Sequence, residues 1–263
     1  MSTPKQLATA RPLLFSGMIT LVFIVLLVVV VLAGRALPGA RGTEAGGAIG
    51  RVLLTGLFIL LLARFGWVER AGLSRLGDTY AWLIVLGPFL YVIVVFPLLF
   101  TGRLSLPLED PLLAALVAGN GLAAGVMEEV VFRGVILCTL LQAWGRERHG
   151  VGRSLLVSSL LFSAPHALNV LAGHDVLLVV AQLVWAVLLG AVFGALLLGG
   201  GSLWPIAALH GFANAFIHVN RLNTTVQLSS SAAVLLAFAP VPLLIYAVVV
   251  LRRRCRLCAD DRA

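Results

Sequence analysis

The sequence predicts an all-α, polytopic membrane protein with about eight transmembrane helices. Of its 263 residues, 60% are hydrophobic and only 11% are charged, and the mean hydropathy is +1.06. Typical soluble domains contain about 25% charged residues. The hydrophobic residues also occur in blocks of about 20, the length that crosses a bilayer as a helix. No stretch is long and polar enough to form a separate soluble domain, so we expect the function to lie in or against the membrane.

The blocks define the predicted helices in order. They cover residues 13–33, 50–66, 80–100, 111–143, 153–172, 176–198, 203–219 and 231–251. The first is too long for a typical signal-peptide core and is predicted to be retained. The fourth is long enough to tilt or to continue into the cytosol. We therefore divide the chain into helices 1–3 (residues 1–110), a core of helices 4–7 (residues 111–218), and a last helix with a basic cytoplasmic tail (residues 219–263).

The distribution of basic residues supports this count. With eight spans both termini share one side, and thirteen of the nineteen basic residues then fall on that side. Arg133 lies inside a span, and the five on the other side are Arg35, Arg41, Arg51, Arg103 and Arg221. The positive-inside rule therefore predicts that both termini are cytoplasmic. The formal net charge of +8 reflects loop charges of this kind, so we do not expect nucleic-acid binding.

The origin of the chain is suggested by its basic residues. Lys5 is the only lysine, and all the other basic residues are arginine. This usage is typical of GC-rich bacterial genomes. We therefore expect the protein in a bacterial cytoplasmic membrane.

Three charged residues fall in the middle of the fourth predicted helix: Glu128, Glu129 and Arg133. Each costs about 2.5–3.5 kcal/mol near the centre of a membrane helix. Glu129 and Arg133 are four residues apart with the acid first, which favours an ion pair on one helix face. Glu128 is rotated by about 100° from Glu129 and points elsewhere. The alternative is that all three form a polar cluster between helices with a purely structural role.

Histidine and asparagine side chains lie in two further helices. His166 falls in the fifth block next to Pro165, which is expected to kink that helix. His210 and Asn214 are one turn apart in the seventh block and should face the same neighbour. A carboxylate and a histidine can activate a water molecule, and a second histidine and an amide can stabilise an oxyanion. These groups together suit hydrolysis of an amide bond; Ser163, one turn before His166, is a minor candidate nucleophile.

Pairs of glycines predict where helices pack closely. Gly121 and Gly125 share one face of the fourth helix, and Gly190 and Gly194 share one face of the sixth. Small residues at this spacing allow helix backbones to approach each other in membranes. The glycines indicate packing and carry no chemistry themselves.

In order along the chain, the motifs are Glu128-Glu129-x-x-x-Arg133, Phe162-x-x-x-His166 and His210-x-x-x-Asn214. This ordered set resembles the CAAX prenyl-protease and bacteriocin-processing family of intramembrane endopeptidases, also called CPBP or Abi. The resemblance covers about residues 111–218, which would make that segment the catalytic core.

The resemblance implies a role for each residue. Glu128 would be the general base, and His166 would help to position and activate the water. His210 and Asn214 would stabilise the oxyanion, and Glu129 and Arg133 would support the site. Glu128, His166 and His210 could instead ligate zinc, although the H-E-x-x-H motif of thermolysin-like sites is missing. We therefore expect a glutamate-type protease without a cofactor, with a zinc enzyme as the alternative.

Partners and competing functions follow from the same observations. We expect contact with membrane lipid and a peptide or lipidated-protein substrate, because family members process prenylated proteins, peptide pheromones or bacteriocins. A proton-coupled transporter would also use intramembrane Glu, His and Arg residues. A catalytically silent scaffold or immunity protein is the third alternative.

Overall fold

The computed structural model describes residues 4–101, 109–222 and 230–260, and the regular elements within these ranges are all helical. This confirms the predicted all-α fold. The α-helices are α1 (Pro4–Ala10), α2 (Pro12–Arg35), α3 (Gly39–Phe65), α4 (Thr79–Thr101), α5 (Pro111–Glu129), α6 (Cys138–Trp144), α7 (Gly150–Ser163), α8 (Val176–Gly200), α9 (Trp204–Arg221), α10 (Ser230–Phe238) and α11 (Val241–Asp260). A π-helical segment (Val130–Leu137) joins α5 to α6, and a 3₁₀ segment (Ala164–Asn169) follows α7.

Helices long and apolar enough to cross a membrane support an integral membrane protein. Within the described ranges they are Pro12–Arg35, Gly39–Phe65, Val176–Gly200 and Ala233–Arg254, the last of which runs from α10 into α11. Large hydrophobic side chains point outward, as in Leu21, Leu53 and Leu83, which are 62%, 69% and 59% exposed. Exposed apolar surface on this scale is typical of a face that contacts lipid.

The predicted count of about eight spans is not confirmed, since within the described ranges four helical segments are long and apolar enough to cross a membrane. All eight apolar blocks contain helix, but several of these helices are short or polar. For example, α7 has 14 residues and α9 has 18 residues with His210 and Asn214 inside it. A helix of 14 residues is only about 21 Å long, short of a bilayer core of about 30 Å. The cytoplasmic location of the termini stays a prediction, and Arg103 and Arg262 lie outside the described residues.

Arg51 was counted among the charges of a connection, at the very start of the second predicted helix, and this is wrong. That helix was expected to begin at residue 50, but α3 starts at Gly39 and continues to Phe65, which puts Arg51 well inside it. The first half of α3 is rich in glycine and polar residues, so its hydropathy is low. It is helical because its glycines pack against α2: a Cβ on Gly46 would lie 3.2 Å from Gly34 Cα.

The fourth predicted helix is confirmed as one long helical segment with a change of winding. It runs from Pro111 through the π-helical segment to Trp144. Asp110 caps its start by accepting a hydrogen bond from the Leu113 amide (3.0 Å), and Arg41 of α3 pairs with the same carboxylate. These donors, the backbone amide first, lower the pKa of Asp110. π-Helical turns often occur at functional sites, and Arg133 lies within the π-helical segment of this helix.

The fifth predicted helix is shorter than expected. The α-helical part ends at Ser163, and His166 lies in the 3₁₀ segment Ala164–Asn169. Pro165 therefore ends the α-helix instead of only kinking it, because proline has no amide hydrogen and its ring crowds the preceding turn. His166 is consequently presented from a tight turn at a helix end.

Candidate active site

Helices α5 and α9 approach each other closely through the glycines of α5. A Cβ on Gly125 would lie 2.5 Å from the Gly211 amide nitrogen, and a Cβ on Gly121 would lie 2.7 Å from that of Ala215. Real Cβ atoms essentially never come within 3.0 Å of another heavy atom. Glycine is thus required at both positions, as their spacing predicted. The contact brings the acidic end of α5 beside His210.

The predicted ion pair between Glu129 and Arg133 is present and fully enclosed. Arg133 Nη1 lies 3.1 Å from Glu129 Oε1, and the two side chains are 1% and 0% exposed. His210 Nδ1 lies 2.7 Å from the same carboxylate oxygen. A carboxylate oxygen accepts hydrogen bonds, so in this pair Nδ1–H of His210 is the donor. Glu129 therefore links the arginine of its own helix to the histidine of α9.

Three further contacts hold the Arg133 guanidinium. Its Nη2 donates to the Gly190 carbonyl oxygen at 3.2 Å. The Phe162 ring lies beneath its Cζ at 4.2 Å, and the Phe193 ring is at 5.4 Å, both within the range of a cation–π interaction. A carboxylate, a carbonyl and two aromatic faces thus compensate for burial of this charge. Gly190 also has the predicted packing role, since a Cβ there would lie 3.0 Å from Ser159 on α7.

Glu128 points away from this buried pair, as the helix geometry predicted. Its side chain is 19% exposed and lines a cavity of about 380 Å³. His210 Nε2 lies 3.7 Å from Glu128 Oε2, so the two edges of the His210 ring face the two adjacent glutamates. Glu128 is the acid with access to a ligand, and Glu129 is the acid that orients the histidine.

The cavity brings together residues that the sequence places on three separate segments. Glu128 from α5, His166 from the 3₁₀ segment, and His210 and Asn214 from α9 all line it. Its other polar lining residues are Arg51, Asn169, His174, Gln182, Trp185, His218 and Arg221. Ser163, the minor candidate nucleophile, is buried and is not among the lining residues. The cavity can hold a water molecule or a peptide group against a carboxylate, two imidazoles and an amide.

His166 is held by packing and keeps free hydrogen-bonding capacity. Its ring contacts Phe162 edge to face, with the centroids 5.5 Å apart, and Phe162 also contacts the ring of His210 at 5.9 Å. The buried His166 Nδ1 has no hydrogen-bond partner within residues 4–101, 109–222 and 230–260. A single aromatic side chain therefore supports Arg133, His166 and His210, while His166 retains a nitrogen for further bonding.

Sequence reasoning missed three basic residues of the cavity wall. Arg51 was counted among the charges of a connection, and neither His174 nor His218 was given a role, yet all three line the cavity. A signal was present for His218, because positions 210, 214 and 218 form one stripe of α9. For Arg51 there was no local signal, since its partner Asn120 lies 69 residues away.

The residues named for a zinc site are not gathered as ligands. Among the described residues, no three His, Cys, Asp or Glu side chains are arranged to hold a metal ion. We therefore derive no step through a metal ion.

Comparison with known proteins identifies the segment that carries these residues. Residues 110–216 match the family model described as type II CAAX prenyl endopeptidase Rce1-like. No curated protein and no solved structure matches the chain. The matched segment contains Glu128, Glu129, Arg133, His166, His210 and Asn214. The chain therefore contains, over residues 110–216, an Rce1-like domain of the CAAX prenyl-protease (CPBP) family, which is a family of proteases.

Proposed function

We propose that this protein is an intramembrane endopeptidase that hydrolyses peptide bonds with a water molecule activated by Glu128 and His166. The observation that carries the proposal is the shared cavity, which Glu128, His166, His210 and Asn214 line from three different segments. The Rce1-like domain over the same residues supports the reaction class. Its substrate would be a peptide or a lipidated protein, and both termini would be cytoplasmic in a bacterial membrane.

The proposed reaction needs no covalent intermediate with the protein. Glu128, aided by His166, takes a proton from water, and the resulting hydroxide attacks the carbonyl carbon of the substrate. His210 and Asn214 donate hydrogen bonds to the oxyanion that forms. Protonated Glu128 then gives its proton to the leaving nitrogen as the carbon–nitrogen bond breaks. General acid–base catalysis of this kind typically contributes about 10²- to 10⁴-fold.

The contact between Glu129 and His210 specifies how His210 would donate. Since Nδ1–H is directed at Glu129, a neutral ring would present a lone pair at Nε2 to the cavity. Donation from Nε2 to an oxyanion therefore requires the imidazolium form.

The test is proteolysis by the purified protein in lipid vesicles. Wild type and Glu128→Gln would be incubated with mixed peptides, farnesylated ones included, and the products read by mass spectrometry. Glu109→Gln is the matched control, because it makes the same change on an exposed carboxylate near the start of α5. We expect Glu128→Gln to reduce the rate by at least about 10²-fold and Glu109→Gln to leave it unchanged. Turnover by Glu128→Gln within tenfold of wild type would refute the base assignment.

The same preparation separates the alternatives. We propose a glutamate-type enzyme, so peptide cleavage should persist when a metal chelator is added. If the chelator abolished cleavage and added Zn²⁺ restored it, the zinc enzyme would be favoured. Proton flux into vesicles without any cleavage would favour a transporter. The absence of both peptide cleavage and proton flux would favour a silent scaffold or immunity protein.

A further inference from the structure

We propose that the active-site cavity opens at the end of the helical bundle opposite to both termini, so that substrates reach it from the extracytoplasmic side of the membrane. The inference rests on the proposed function and adds a substrate class to it. The substrate is an exported peptide or the extracytoplasmic segment of a membrane protein.

Both described ends of the chain lie at one end of the bundle, here called the terminal face. Helix α1 packs against α6, and Gln142 of α6 accepts a hydrogen bond from Arg70, in the loop after α3, at 2.6 Å. A backbone hydrogen bond of 2.9 Å joins that loop to the turn between α8 and α9. The second half of α11 lies beside the end of α8, since a Cβ on Gly199 would be 2.8 Å from Val250 Cγ1.

The opposite end, here called the mouth face, contains the starts of α3 and α5 and the end of α9. Arg41 and Asp110 form an ion pair there, near the starts of α3 and α5. Helix α9 runs antiparallel to α5, because Gly121 approaches Ala215, while Gly125, one turn later, approaches the preceding turn of α9. The last turn of α9 therefore lies at the mouth face.

The cavity extends from Glu128 and His210 towards the mouth face. His218 and Arg221, in the last turns of α9, line it, and so does His174, which precedes α8. At 1.5 Å per residue, Arg221 is about 16 Å beyond His210 along the helix axis. His174 and Arg221 are both exposed. The cavity therefore reaches the surface of the protein at the mouth face.

A buried layer separates the catalytic residues from the terminal face. One turn beyond Glu128 in that direction are Phe132 and Arg133, which are 1% and 2% exposed. The rings of Phe162 and Phe193 lie against the Arg133 guanidinium and are also buried. A peptide could pass through this layer only by displacing the ion pair of Arg133. Entry from the mouth face requires no such displacement.

The basic residues assign the terminal face to the cytoplasm. Thirteen of the nineteen basic residues fall on the side of the termini, and five were counted on the other side. One of those five, Arg51, lies well inside α3, which leaves four. Connections rich in arginine stay in the cytoplasm. The mouth face is therefore extracytoplasmic, and a cytoplasmic protein that does not cross the membrane would not reach Glu128.

Cysteine labelling tests the two faces without requiring activity. Serine would replace the natural Cys138, Cys255 and Cys258, and one new cysteine would be introduced in each protein. Ala172→Cys lies at the mouth face, two residues before His174, and Leu76→Cys lies in the loop of the terminal face; both positions are exposed. Bacterial spheroplasts that contain each protein would be treated with a membrane-impermeant maleimide before and after permeabilisation.

We expect Ala172→Cys to be labelled in intact spheroplasts and Leu76→Cys only after permeabilisation. The reverse pattern would overturn the inference, because the mouth face would then be cytoplasmic. Equal labelling of both positions in intact spheroplasts would also overturn it, because the protein would then insert in both orientations.

Proteolysis from one side of the membrane separates this inference from the proposed function. Right-side-out membrane vesicles would receive a membrane-impermeant peptide that the purified protein cleaves, either outside or trapped in the lumen, with Glu128→Gln as the blank. We expect wild type to cleave the external peptide and to leave the trapped one intact. Cleavage of the trapped peptide alone would overturn the inference. If the purified protein cleaved no peptide, only the proposed function would fail, and the labelling pattern would still decide which face is extracytoplasmic.

Discussion

Replacement of Gly125 by alanine should push apart α5 and α9, the two helices that carry most of the active-site residues. The added Cβ would lie 2.5 Å from Gly211 N, 2.6 Å from Gly211 Cα and 2.8 Å from His210 C. All three are backbone atoms, so no change of rotamer can relieve the overlap. Carbon atoms in contact are normally about 3.5–4.0 Å apart, and α5 and α9 must therefore separate by about 1 Å.

The size of the effect follows from that displacement. Overpacking of a core typically costs about 1–3 kcal/mol, while alanine is favoured over glycine within a helix by about 1 kcal/mol. The net loss of stability should therefore be small, no more than about 2 kcal/mol. Activity should fall much further, since a shift of about 1 Å between catalytic groups can cost about 10²-fold. Glu128 lies one turn from Gly125, and His210 is adjacent to Gly211.

Gly119→Ala provides the matched comparison. It makes the same substitution on the same helix, at a position where a Cβ would meet nothing within 4 Å. Initial peptidase rates and thermal unfolding in detergent would be measured for both variants and for wild type. We expect Gly119→Ala to be at least as stable as wild type and fully active. If kcat/KM of Gly125→Ala were within threefold of that of Gly119→Ala, the argument that this contact positions Glu128 against His210 would be refuted.

Two further substitutions test the buried network and the oxyanion donors. Arg133→Ala leaves Glu129 buried without its ion-pair partner and should lower the free energy of unfolding by about 3–5 kcal/mol. The control Arg153→Ala breaks the exposed pair with Glu147 and should lower it by less than about 1 kcal/mol. Equal thermal stability of the two variants would contradict this account. Asn214→Ala should reduce kcat by about 10²- to 10³-fold with little change in KM, and a raised KM at unchanged kcat would assign Asn214 to substrate binding instead.

The sequence by itself determined the all-α class, the membrane environment and the arrangement of Glu128, Glu129 and Arg133 on their helix. Helix periodicity was sufficient to pair Glu129 with Arg133, to turn Glu128 away from them and to place Gly121 and Gly125 on a packing face. These inferences succeed because they depend on the regular geometry of one helix, 3.6 residues per turn, which holds whatever lies opposite. The ordered motifs added the family, and the matched model supports it over residues 110–216.

Only the tertiary structure decided which groups face one another across helices. Arg51 was assigned to a connection because its neighbourhood is polar, yet Asn120 and Glu44 compensate for its charge inside the protein. Likewise, the orientation of His210 depends on Glu129, 81 residues away. Hydropathy measures the cost of placing a residue in lipid, and it does not register the partners that remove this cost. Those partners are contributed by distant segments, so the cavity that contains Glu128, His210 and Arg51 emerges only when the helices are packed.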